Sequence, residues 1–451
     1  MTMFYRKIID ILEEWSQRVN RKPLVLRGAR QVGKTTLVNL FAKKYKCYIY
    51  LNLEKPNEKA IFDSSGSFNE KLDAIFFLKG LKKGQKDTLI FIDEIQNSPQ
   101  AVSLLRYFYE EAPSIHVIAA GSLLESLIDR HISFPVGRVE YLAVRPCSFS
   151  EFLTAIGEHT ALDALLEWPI AAFAHDKLQS LFNRYTLIGG MPGVVANYAQ
   201  NNDLISLDTE YQSLIAGYID DVEKYSLRNS SVQHIRHILR TGFRYGCQRI
   251  KFERFGESEY RSREMAEAFR LLEKTMLIEM VYPTGSASLP FLPDFRKSPR
   301  LHWLDTGLLN YSAGVQQEVF GANELSAVWR GLVAEHIVGQ ELIAEDYSVL
   351  AQRTFWVREA KNSNAEIDYL ISYSGRLIPV EVKSGVGTTL KSLHLFMDQA
   401  PHRLAVRIWN KPFSEAEVQT PAGKKFLLLN VPYYLVSQLI RIIENYRESY
   451  L

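Results

Sequence analysis

The chain has 451 residues, of which 47% are hydrophobic and 23% charged, with a net charge of +2. That length exceeds one usual core, so roughly two to four domains are expected, and the composition is that of an ordinary soluble globular protein. The near-balanced charge argues neither for nor against a nucleic-acid or protein partner, because a small sum can hide a local basic face. Cys47, Cys147 and Cys247 are too few and too far apart for a metal knuckle or a disulfide framework. Residues 1–20 carry Asp10, Glu13 and Glu14 and lack a signal-peptide core. With no uninterrupted apolar stretch of spanning length, the expectation is a cytoplasmic protein with no membrane part.

Residues 1–20 read as a helix leading into the strand Leu24-Val25-Leu26. Gly28-Ala29-Arg30-Gln31-Val32-Gly33-Lys34-Thr35 then fits the phosphate-binding pattern G-x-x-x-x-G-K-[ST], and a helix opens at Thr36. Gly28 and Gly33 are expected to take backbone angles closed to other residues, so that successive N–H groups face phosphate oxygens. The positive end of the following helix adds to that field. Residues 28–36 are the expected ATP contacts, with Lys34 on the β and γ phosphates and the Thr35 hydroxyl on Mg2+.

Cys47–Leu53 reads as a second strand, and Ser64–Ser67 as a loop. Thr88–Glu94 is an apolar run ending in two acids, as a buried parallel strand looks where its end enters an active site. It resembles the Walker B motif, with Asp93 expected to hold Mg2+ and Glu94 to polarise the attacking water. The strand Ile115–Ala120 stops at Gly121-Ser122. Ser122 is either a γ-phosphate sensor or the N-cap of a helix over Leu123–Ile128. Arg138 precedes the strand Val139–Val144. With no other arginine finger evident in this core, Arg138 is expected to reach a neighbour's γ-phosphate in a homo-oligomer, although most arginines are only solvated surface.

Together, the P-loop, Asp93-Glu94-Ile95-Gln96, Gly137-Arg138 before Pro146–Phe152, and Gly189-Gly190-Met191-Pro192 resemble a bacterial and archaeal family of AAA-type ATPases carrying a C-terminal domain of unknown function. The resemblance runs from about residue 20 to about 430. It departs at Ala120, where members often have threonine before the Gly-Ser of the sensor strand.

Apolar residues at helical spacing in Phe173–Leu187 and Leu204–Ile219, broken by a turn at Gly189–Gly193, resemble the helical lid of AAA-type proteins, here 151–228. Val232–Phe243 and Ser262–Thr275 read as helices, and Met276–Tyr282 with Arg300–Leu304 as a strand pair. That order suggests a winged-helix-like module over 229–312, and the resemblance implies the same. Between Arg244 and Lys274 eight basic residues face six acids, so DNA and a protein partner remain alternative expectations.

The last part, 313–451, opens with a helix over Trp329–Leu342 carrying Glu335. Three strands are expected at Thr354–Val357, Ala365–Ile371 and Leu377–Lys383, the last two joined by a turn at Tyr373-Ser374-Gly375. Asp368 on one strand, with Glu381 and Lys383 on one face of the next, resembles the PD-(D/E)xK nuclease fold. The resemblance implies that Glu335, Asp368 and Glu381 bind Mg2+ and that Lys383 orients a water. The same charges also suit a solvated strand face, and this fold is often kept without its chemistry. The fold expected is α/β: a P-loop NTPase parallel sheet (1–150), a helical lid, a winged-helix-like module and a restriction-endonuclease-like domain.

Overall fold

The computed structural model describes residues 4–122, 135, 137–221, 229–314, 327–360, 363–384 and 390–451. The helix expected over Leu123–Ile128 lies outside them.

Five strands form the first sheet: β1 (Leu24–Arg27), β2 (Cys47–Asn52), β3 (Thr88–Asp93), β4 (His116–Gly121) and β5 (Glu140–Ala143). Their order is β2-β3-β4-β1-β5, and every pairing is parallel. Such a sheet must bury both faces, which is why these strands read as apolar runs. Successive side chains point to opposite sides. Leu24, Leu26, Phe91 and Ile118 enter one core, and Val25, Ile90, Ile92 and Val117 the other. The first core is covered by α1 (Ile8–Gln17) and α2 (Lys34–Phe41), the second by α3 (Pro56–Asp63), α4 (Phe68–Leu78) and α5 (Pro99–Glu111). Strand β4 lies between β1 and β3, which brings the ends carrying the P-loop, Asp93-Glu94 and Ser122 to one edge of the sheet.

Five helices follow: α6 (Phe149–Ala155), α7 (His159–Leu166), α8 (His175–Ile188), α9 (Pro192–Asn201) and α10 (Asp208–Asp220). A capping box between Ser148 and Glu151 starts α6, satisfying two otherwise orphaned N–H groups. Two further helices, α11 (Asn229–Thr241) and α12 (Ser262–Lys274), precede β6 (Ile278–Val281), β7 (Pro283–Thr284) and β8 (Arg300–Trp303). Strands β6 and β8 pair antiparallel from Ile278 opposite Trp303 to Val281 opposite Arg300. Their connection is not a simple hairpin loop, because β7 leaves to pair with a strand of the last domain.

After α13 (Thr306–Ser312) and α14 (Ala327–Ala344) come β9 (Phe355–Ala360), β10 (Ser363–Ile367), β11 (Tyr369–Tyr373) and β12 (Arg376–Val382). The single strand expected over Ala365–Ile371 is two. Strand β10 pairs with β9 in the sheet β10-β9-β7, whereas β11 pairs with β12 in a separate five-stranded sheet. The break falls at Asp368, where the chain crosses between sheets. The expected turn is present: Tyr373 faces Arg376, and Ser374 (φ 47°) and Gly375 (φ 74°) both take positive φ, as a two-residue hairpin turn of the right twist requires. Helix α15 (Lys391–Gln399) and strands β13 (Leu404–Trp409), β14 (Ser414–Gln419) and β15 (Lys425–Pro432) complete the sheet in the order β11-β12-β13-β15-β14. No described helix is long and apolar enough to cross a membrane.

Candidate functional site

The loop between β1 and α2 takes positive φ at Gln31 (66°) and Gly33 (91°), turning the chain back so that α2 begins at Lys34. Gly28 serves a different purpose from the one expected. Its φ is not positive; a Cβ there would press on the Val144 carbonyl and on Val32, so the position requires absence of bulk. Lys34 is buried, and its Nζ donates to the carbonyls of Gly28 (2.9 Å) and Ala29 (2.8 Å). Burial lowers its pKa to about 8, against the opposing pull of Glu94 and Asp93. A phosphate placed over the loop would offer this ammonium anionic oxygens in place of two neutral carbonyls.

Asp93 is held from three sides. The Thr35 hydroxyl donates to its Oδ2 at 2.7 Å, the Tyr50 hydroxyl donates to the same oxygen at 3.2 Å, and the Glu94 N–H donates to Oδ1 at 3.1 Å. Glu94 takes a left-handed conformation (φ 53°) just past β3, and the Gln96 amide donates to its carboxylate. Burial raises the Glu94 pKa, and Asp93 beside it adds to the rise. That shift increases its proton affinity in the sense a general base needs.

Two cavities meet at Arg30 and Glu94. One, of about 450 Å3, is lined by Arg30, Gln31, Gly33, Lys34, Thr35 and Thr36, and walled by apolar Phe4, Leu40, Pro192 and Leu214. The other, of about 460 Å3, is lined by Lys59, Gln96, Asn97 and Ser122 among others. The first combines a polar floor suited to phosphates with an apolar wall suited to a base. The helices after the sheet close over it: Pro192 and Leu214 sit on α9 and α10, Arg30 pairs with Asp221 at the end of α10, and Tyr218 donates to the Arg30 carbonyl at 3.0 Å. Of the expected nucleotide contacts, Gly28, Ala29 and Val32 do not line the cavity. Ala29 and Val32 are buried beneath the loop. Ser122 and Glu94 both line the second cavity.

Arg138 lines neither cavity. Its guanidinium donates to Glu110 at 2.8 Å and lies 5.9 Å from the Tyr109 ring centre. Two other arginines line the nucleotide cavity: Arg30, an expected contact, and Arg6, which the sequence did not single out. Arg6 is buried, pairs with Glu151 at 2.9 Å and donates to the Arg145 carbonyl at 2.9 Å. Its two partners stand more than 130 residues away in sequence, and no local pattern marks it.

In the last domain Glu335 (α14), Asp368 (the β10–β11 break), Glu381 (β12) and Lys383 do come together, around a residue the sequence did not single out. Arg300 of β8 is buried and lies 3.6 Å from Glu335 and 3.4 Å from Asp368, and it also pairs with Glu366. The Asp368 Oδ2 accepts from the Val382 N–H at 2.8 Å, and Lys383 donates to Glu381 Oε1 at 2.5 Å. Glu381 Oε2 is buried without a partner among the described residues. Burial, then Asp368 nearby, raises Glu335 to about 8 and Glu381 to about 7, and the carboxylates hold Arg300 above its ordinary value despite its burial. The oxygen donors suit a hard divalent cation. Their arrangement does not: no three His, Cys, Asp or Glu among the described residues are disposed to hold a metal, and the Arg300 guanidinium supplies the central positive charge.

Sheet order, loop geometry and the Thr35–Asp93 pair define an ATPase-like P-loop domain. Comparison with known families agrees: residues 20–153 match the model of an AAA domain, 179–319 a domain of unknown function (DUF8612) and 330–421 a domain of unknown function (DUF4143). Among solved structures, the chain is similar to the Walker-type ATPase of Pyrococcus abyssi at 16% identity, over 69% of this chain and 96% of that one, with a TM-score of 0.44. The Thermotoga maritima RuvB Holliday junction branch migration motor is 13% identical over 62% of this chain and 90% of its own, at 0.27. A Bacteroides Pif1 helicase is 16% identical over 39% and 49%, at 0.24. No curated protein matches.

Proposed function

We propose that the chain is a Mg2+-dependent ATPase, hydrolysing ATP to ADP and phosphate. The observation carrying this reading is the Thr35 hydroxyl on the Asp93 carboxylate at 2.7 Å, directly beside Lys34 and at the mouth of a cavity with phosphate and base halves. Thr35 and Asp93 present the hard oxygen donors Mg2+ takes and would hold it, and the bound ion would offset the charge of the phosphates. Lys34 would leave the loop carbonyls for phosphate oxygens. Glu94 would orient a water arriving through the second cavity and take its proton, with Ser122, which also lines that cavity, facing the γ-phosphate. Arg138 would serve a neighbouring copy. Calorimetry with ATP and Mg2+ tests the binding half: Lys34→Ala should lose the heat seen with wild type, and unchanged affinity would sink the assignment.

The nucleotide cycle would be passed on through the helices closing the cavity, which act as a lid. On the far side of the lid Tyr185 of α8 donates to Glu341 of α14 at 2.7 Å, and Glu341 accepts from the Phe149 N–H at 3.1 Å. We read the 229–312 part as winged-helix-like and the last domain as nuclease-like in strand order. Because Arg300 occupies the centre of its acidic cluster, a docking role for a partner, DNA or protein, is favoured over cleavage. Addition of duplex, single-stranded and branched DNA to an ATPase assay separates the partners: stimulation supports DNA, and a flat response to all three supports a protein.

A further inference from the structure

Away from the P-loop, a cavity of about 380 Å3 opens where the first sheet, α12 with β6 and β8, and α14 converge. That volume falls in the range of small-molecule sites, roughly 300–1,000 Å3. Its charged lining holds Arg27, Arg145, Arg270, Lys274 and Arg353 together with Glu273 and Glu279. Arg353 is matched within the fold, since Glu279 accepts from its Nε at 2.9 Å and its Nη2 at 2.6 Å. Two others are not. Arg145 donates only to the backbone carbonyls of Asp346 (2.8 Å) and Ser348 (3.1 Å), and neither Arg145 nor Arg270 has a carboxylate at ion-pair distance among the described residues. Arg145 is half-buried, and its pKa is lowered by burial and then by the guanidinium of Arg353 next to it, with Glu279 and Asp346 opposing. The guanidiniums of Arg145 and Arg353 repel each other, and an anion entering the hollow relieves that repulsion.

Apart from Gln340 and Gln352 the rest of the lining is apolar, with Pro146, Met276, Leu304 and Ile343. We propose that this cavity binds a small phosphate-bearing organic molecule, its phosphate on the Arg145 and Arg270 guanidiniums and its uncharged part against the apolar wall. A guanidinium fork matches phosphate oxygens two at a time, and two guanidiniums without a carboxylate at ion-pair distance among the described residues suit an anion carrying more than one charge. The site is separate from the P-loop cavity and does not depend on ATP hydrolysis. It does touch the same framework: Arg27 ends β1 immediately before the loop, and Gln340 on the cavity wall bonds Tyr185 of α8 at 3.1 Å.

The test uses the full chain with its P-loop saturated by a nonhydrolysable ATP analogue and Mg2+, so that phosphate probes cannot enter there, and is repeated on Lys34→Ala without nucleotide. Ribose 5-phosphate, ribose and inorganic phosphate are titrated by calorimetry. Ribose 5-phosphate should bind and ribose should not. Arg270→Gln, an exposed position whose loss leaves the fold intact, should weaken binding at least tenfold, Arg145→Lys should weaken it by keeping charge but losing the fork, and Arg263→Gln on the same helix should change nothing. The proposal is overturned if ribose 5-phosphate fails to bind at roughly 10 mM, if Arg270→Gln and Arg145→Lys bind it as wild type does, or if inorganic phosphate binds as tightly, which would leave the apolar wall without a part.

Discussion

Glu341 offers a quantitative test of how α14 is joined to α8. It is 2% exposed, and burial raises its pKa from 4.5 to about 8, with Glu345 and Glu151 adding to the rise and the Tyr185 hydrogen bond opposing it. A carboxyl whose folded pKa lies above its unfolded value favours the folded state fully below the unfolded value. That contribution is lost as pH rises, at about 1.4 kcal/mol per pH unit, until the folded pKa is passed. Relative to a side chain that cannot ionise, Glu341 therefore costs the folded state about 2 kcal/mol at pH 6 and about 5 kcal/mol at pH 9. Glu341→Gln keeps the oxygen that accepts from Phe149 and Tyr185 and removes the titration. Urea unfolding of both proteins at pH 6, 7, 8 and 9 should show the variant gaining about 3 kcal/mol on wild type across that range. Any constant effect of the amide cancels in the trend, as do other titrating groups common to both proteins. A difference that stays flat with pH would show that Glu341 ionises normally and that the buried contact is not as described.

Arg300→Gln should destabilise the last domain by about 3–5 kcal/mol, since it strands carboxylates around an empty centre; a loss below about 1 kcal/mol in the same unfolding assay would mean that water already screens the cluster. If Arg300 stands in for a metal, Mn2+ titrated under electron paramagnetic resonance should bind Arg300→Gln and not wild type. Wild-type binding that disappears in Asp368→Ala would instead restore the metal site the sequence suggested, and cleavage assays on Asp368→Ala and Lys383→Ala would then follow. For Arg138, a finger acting in trans predicts that Arg138→Ala binds ATP normally and hydrolyses it about a thousandfold more slowly, with partial recovery on mixing with Lys34→Ala; a full rate from Arg138→Ala would leave it only its surface pair with Glu110.

The P-loop could be read from the sequence because its function is carried by backbone geometry and by adjacent residues, so the requirement is written at fixed spacing. The same holds for Asp93-Glu94 at the end of a buried strand and for Ser374-Gly375 in a two-residue turn. Arg6 and Arg300 escaped notice because each acts on partners far along the chain: Arg6 reaches Glu151, and Arg300 reaches Glu335, Glu366 and Asp368. A lone arginine beside apolar residues carries no mark of such a role. Gly28 shows a subtler gap, since the residue type was right and the reason was the approach of Val144, which no local pattern encodes. The division of 365–371 between two sheets was hidden likewise, because the β-prone Ile367 and Tyr369 flank Asp368 on both sides while the pairing partner changes.

The central claim, hydrolysis of ATP by Glu94 at the P-loop, is tested most directly by phosphate release from wild type and Glu94→Gln under saturating ATP and Mg2+, with ATP binding measured on the same samples. The account predicts that wild type releases phosphate, that Glu94→Gln binds ATP as tightly, and that its rate falls by roughly 10^2–10^4. Equal rates for the two proteins would contradict it.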